Sequence, residues 1–120
     1  MRRAATLAIV AACAGAVLVA SADGATTLKL KAAASGANKY DKTRLTASPG
    51  KVTIRLKNPG SSGKPHAVEI VGKGVDKTSG TAGPGQRVSV TARLAKGTYQ
   101  FFCPIDGHRA AGMKGTLVVR

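Results

Sequence analysis

The chain has 120 residues, of which 19 are Lys or Arg and five are Asp or Glu, a formal net charge of +14. That length allows one compact core and excludes a second domain with an active site of its own. So strong a positive field favours acidic partners or anionic membrane surfaces. The basic residues are spread along the chain and alternate with apolar ones, so they read mainly as solvated strand faces, and nucleic-acid binding is not expected.

The chain begins Met1-Arg2-Arg3, runs apolar from Ala4 to Ala20 and then offers Ala20-Ser21-Ala22 as a small-x-small cleavage site. That is the outline of an export signal, expected over residues 1–22 and cut after Ala22 to leave a periplasmic or extracellular protein. Two alternatives would make it membrane-associated. The apolar tract could stay as an anchor, or Val10-Ala11-Ala12-Cys13 could be a lipoprotein processing site, a weaker reading because the residues after Cys13 remain apolar. Export leaves residues 23–120 as a single domain carrying 17 basic and five acidic residues, a net +12. It also leaves one cysteine (Cys103), one methionine (Met113) and two histidines (His66 and His108). A lone thiol in an oxidising compartment has no internal disulfide partner and needs burial or a metal to protect it.

From Leu28 onward, apolar and polar residues alternate in short runs, and no helical period is sustained. Leu28 and Leu30 alternate with lysines; Val52, Ile54 and Leu56 with Lys51, Thr53, Arg55 and Lys57; Val88, Val90, Ala92 and Leu94 with Arg87, Ser89, Thr91 and Arg93. These predict half-buried antiparallel strands. Further strands are expected around Leu45, over Pro65–Val71, over Thr98–Cys103 and over Thr116–Val119. Turn residues separate them at Ser48-Pro49-Gly50, Asn58-Pro59-Gly60, Gly83-Pro84-Gly85 and Ala95-Lys96-Gly97. The segment from Gly72 to Gly85 reads as a loop. The expected fold is all-β, a Greek-key β-sandwich or barrel of about seven to eight strands.

Strand parity places chemistry at one end of that sandwich. His66 shares a face with Val68 and Ile70, and Cys103 shares one with Tyr99 and Phe101, just before Pro104 turns the chain. The following loop reads C-x4-H-x4-M, from Cys103 through His108 to Met113. A thiolate, two imidazoles and a weak thioether are the donor set of a blue-copper site. Structural zinc would prefer four strong ligands. A Cys-His protease would leave Met113 without a role and needs a cleft and an oxyanion hole that the sequence does not suggest. No histidine remains for a second copper, which disfavours an oxidase or nitrite reductase.

These residues resemble the plastocyanin-like cupredoxin family. The likeness runs from about Leu28 to Val119 and includes Leu45-x-Ala47-x-Pro49-Gly50, Asn58, Pro65-His66, Gly97-Thr98-Tyr99 before Phe101-x-Cys103, and the loop closing on Gly115-Thr116-Leu117-Val118-Val119. Its loop spacing is nearer to auracyanin and rusticyanin than to plastocyanin proper. The resemblance implies one copper ion on His66, Cys103, His108 and Met113, cycling between Cu(I) and Cu(II) in one-electron transfer without substrate turnover. The alternative is an exported copper chaperone or copper buffer. The resemblance also implies a monomer that meets redox protein partners, here with acidic docking surfaces, near His108, with Arg109 and Lys114 flanking that port. The family often has a polar residue where this chain has Ala67, so a less cross-braced site is expected.

Overall fold

The computed structural model describes residues 24–120, and the expected export segment, residues 1–22, lies outside them. The described chain forms eight strands: β1 (Ala25–Lys31), β2 (Arg44–Ala47), β3 (Gly50–Lys57), β4 (Glu69–Gly72), β5 (Val75–Thr78), β6 (Arg87–Leu94), β7 (Gly97–Phe102) and β8 (Lys114–Val119). They make two sheets, one ordered β1-β3-β6 and the other β2-β8-β7-β4-β5.

The alternation seen in the sequence decides which side of each strand is inside. On β3, Val52, Ile54 and Leu56 are fully buried while Lys51, Arg55 and Lys57 are exposed. Val90, Ala92 and Leu94 of β6 join them, and the second sheet contributes Leu45, Ile70, Tyr99, Phe101, Leu117 and Val119 to the same core. Each large side chain so enclosed stabilises the fold by about 1.5–3 kcal/mol. Gly115 of β8 is paired with Phe101 of β7. A Cβ added there would run into the Phe101 ring and lie 2.6 Å from the Thr43 carbonyl oxygen, so the close approach of ring and backbone requires glycine.

Three expectations are corrected. The strands are not all antiparallel, because β1 runs parallel to β3 and β2 parallel to β8. A side-chain period of two is the same in either direction, so alternation carries no signal for it. The segment from Gly72 to Gly85 is not simply a loop, since β5 forms a hairpin with β4. Its two turn residues, Lys73 (φ 46°) and Gly74 (φ 79°), both take positive φ, which fits the right-handed twist of the flanking strands. Finally, regular pairing of the expected strand over Pro65–Val71 begins only at Glu69. Ahead of it the chain stays extended, with His66 and Ala82 joined by an isolated bridge.

Candidate metal centre

His66 is fixed by its backbone. Its N–H donates to the Ala82 carbonyl at 3.0 Å, and the Ala82 N–H donates back at 2.8 Å. Behind this bridge lies Asn58, fully buried, whose side-chain amide donates to the carbonyls of Lys64 (2.7 Å) and Ala82 (2.9 Å) and accepts from the Ser62 hydroxyl. The Tyr40 hydroxyl donates to the Ala67 carbonyl at 2.6 Å, and its ring packs 5.6 Å from that of Phe101. Bracing therefore comes from behind the histidine, through backbone carbonyls, and does not need a polar side chain at position 67. The sequence pointed to Asn58 as turn punctuation and as part of the family resemblance, without a bonding role, and gave Tyr40 and Ser62 no role. The signal for Asn58 was its place directly after an inward-facing run, where a polar residue must be buried with partners.

Cys103 follows the last residue of β7, and Met113 precedes the first of β8. The Cys103 N–H donates to the Met113 carbonyl at 3.0 Å, closing the loop at its base. Inside it the Met113 N–H donates to the His108 carbonyl at 3.1 Å, and the His108 N–H to that of Ile105 at 2.9 Å. Gly107 (φ 80°) supplies the left-handed backbone that turns the chain just before His108.

The result is a compact cluster. Donor atoms of His66, Cys103 and His108 all lie within 4.8 Å of one another. Cys103 Sγ is 3.4 Å from His108 Nδ1, and the two imidazole rings are 5.1 Å apart at 55°. His66, Cys103 and Met113 are wholly buried, whereas His108 is half-buried. Burial, then the neighbouring His108 and Lys64, lowers the His66 pKa to about 4, and burial followed by Lys64 lowers that of His108. Both shifts favour the neutral imidazole, the form in which a histidine binds metal.

Both ring nitrogens of His66 are buried without a hydrogen-bond partner among the described residues. An unsatisfied buried polar group costs about 1–3 kcal/mol, so such a ring beside a thiol and a second imidazole calls for a ligand of its own. A metal cation that accepts N and S donors fits this gap. Arg109 is not aimed at His108: its guanidinium donates to Gln100 Oε1 at 2.9 Å and lies 3.9 Å above the Phe102 ring.

A thiol and two imidazoles gathered at one end of a two-sheet β-sandwich define a class, the single-metal proteins whose mixed nitrogen and sulfur donors suit copper. The chain belongs to the copper-binding plastocyanin/azurin family, whose sequence pattern matches residues 26–120, and copper is its cofactor. Among solved structures it is similar to auracyanin B, with 27% identity over 79% of this chain and 88% of that one and a TM-score of 0.69. It is also similar to auracyanin A, a "blue" copper protein from the green thermophilic photosynthetic bacterium Chloroflexus aurantiacus, with 28% identity over 81% of this chain and all (100%) of that one and a TM-score of 0.67. Rusticyanin from Thiobacillus ferrooxidans shares the fold, at 21% identity over 80% of this chain and 77% of that one and a TM-score of 0.59. No curated protein matches the sequence. Among the described residues, no helix is long and apolar enough to cross a membrane.

Proposed function

We propose that the protein is a one-electron carrier in which His66, Cys103, His108 and Met113 hold a single type 1 copper. The observation that carries this reading is the His66 ring, enclosed with both nitrogens unpartnered and set against Cys103 and His108. Copper supplies the Cu(I)/Cu(II) couple. The chain's contribution is to hold the donors still. The His66–Ala82 bridge and the Cys103–Met113 bond hold the backbone of three of them at one end of the sandwich, so little rearrangement opposes a change of oxidation state. Burial of Cys103 and Met113 keeps water and competing thiols away, which suits retention of the metal through many cycles more than its delivery. His108 is the half-buried donor, and exposed Gly107, Ala110 and Ala111 near it are small residues past which a partner can approach.

In this reading the chain is exported, works as a monomer, turns over no substrate and meets redox proteins with acidic surfaces. Adding Cu(II) to the purified protein should produce an intense visible thiolate-to-copper absorption that Cys103→Ser abolishes, with a reversible one-electron couple. A colourless, correctly folded cupric form would end the reading. Rapid transfer of Cu(I) to an acceptor protein, without a reversible couple, would favour a copper chaperone or buffer.

A further inference from the structure

Along the chain the lysines and arginines look evenly spread, but the sheet β1-β3-β6 superimposes them. Its register places Lys31, Lys57 and Arg87 side by side in one row across the three strands, Lys29, Arg55 and Ser89 in the next, then Thr27, Thr53 and Thr91, and last Ala25, Lys51 and Arg93. All of these share the parity that faces away from the core, and the seven cations are exposed. Strand and residue spacings make this face roughly 10 by 20 Å. No carboxylate lies within it. Asp41 borders one end, where its oxygens accept from the Lys31 N–H and from Lys42, and Asp76 borders the groove between β5 and β6. Lys42–Asp41 is the one ion pair among the described residues, so none of the seven cations is neutralised by a carboxylate.

We propose that this outer face of the three-stranded sheet is a docking surface for an anionic phospholipid bilayer. Charge complementarity selects the occupant. The face carries seven long, flexible cations around a Thr belt and holds no aromatic or large apolar residue. It therefore lacks the buried anchors on which a specific protein interface depends, and it has no ring on which a nucleobase could stack. Such a face suits a flat surface whose negative charge is spread over many headgroups, to which each nearby Lys or Arg adds attraction. Asn58, directly after β3, bonds the Lys64 and Ala82 carbonyls beside His66, so the Lys31-Lys57-Arg87 row lies at the same end of the molecule as the metal centre. The Cys103–Met113 loop springs instead from β7 and β8 of the other sheet. Adsorption through the basic face would leave that loop free. The proposal does not depend on which metal the centre holds.

The test is co-sedimentation of the full chain with phosphatidylcholine vesicles, either pure or containing about one-third phosphatidylserine. The apolar residues 4–20 are common to every variant, so the readout is the ratio of partition on anionic to neutral vesicles. That ratio should be large in about 50 mM salt and collapse in about 500 mM, where charges are screened. The double variant R55E/K57E, and independently K29E/R87E, should lower it at least about tenfold with the circular dichroism unchanged. The variant K73E/K96E, which reverses two cations in turns outside the three strands of the face, should lower it less than about twofold, although it changes the net charge equally. Equal loss in that control, no preference for anionic vesicles, or displacement of the protein from vesicles by duplex DNA or polyglutamate at equal charge would overturn the proposal.

Discussion

Replacing Asn58 by Ala tests whether the His66 side of the centre is held from behind. The substitution removes three hydrogen bonds, a part-buried one from the amide to the Lys64 carbonyl and two buried ones, from the amide to the Ala82 carbonyl and from the Ser62 hydroxyl to the amide oxygen. Neither carbonyl is left bare. The Ala82 oxygen keeps the His66 N–H, and the Lys64 oxygen keeps a 3.3 Å bond from Ser62. The loss is therefore that of three bonds at a net of about 1 kcal/mol each, about 3 kcal/mol in all, without the larger penalty of an orphaned acceptor. For a domain of this size that lowers Tm by about 12–24 °C. Chemical and thermal unfolding of the metal-free and copper-loaded chains would measure it, and copper should be lost to a chelator more readily from the variant. A destabilisation below about 0.5 kcal/mol, the range of an ordinary surface substitution, together with unchanged copper retention, would refute the bracing argument.

Two further outcomes follow from the same geometry. Stability of the metal-free chain should depend on the lowered histidine pKa values: between the unfolded value of 6.5 and about 4, the unfolded chain binds a proton at His66 that the folded chain refuses. Stability is then fully present above pH 6.5 and lost as the pH falls toward 4, by on the order of 3 kcal/mol for His66; denaturant midpoints across that range should fall in the native chain and much less in His66→Phe. Gly115→Ala should destabilise by about 1–3 kcal/mol, since the added methyl meets Phe101 and the Thr43 carbonyl, and the double variant Gly115→Ala with Phe101→Leu should recover part of that loss if the ring is the obstacle.

What could be read from the sequence was whatever depends on parity and short spacing. His66, Val68 and Ile70 are all fully buried, as their shared parity led one to expect, although regular pairing starts only at Glu69 and the small Ala67 between them is buried as well. The Cys103–His108–Met113 spacing was legible for a similar reason: one short loop between paired strands leaves its ends few places to go. The direction of β1 against β3 was not legible, being set by which neighbours the whole chain brings together. Nor was β5, a four-residue edge strand with Val75 as its one apolar residue and no alternation to announce it. The Ala82 partner of Asn58 and the Ala67 partner of Tyr40 stayed hidden because they lie 24 and 27 positions away in sequence. The convergence of seven cations on one face was concealed in the same way, by strands 20 or more positions apart.

The bond from the Cys103 N–H to the Met113 carbonyl has a consequence for how such proteins can vary. It acts as a clasp, so that the sulfur-bearing residues at the two ends keep their separation whatever is strung between them. Lengthening or trimming the stretch around Asp106 to Ala111 would then mainly change how far the imidazole edge stands out toward a partner. Reach and recognition can be retuned in that short stretch while the rest of the scaffold is left as it is.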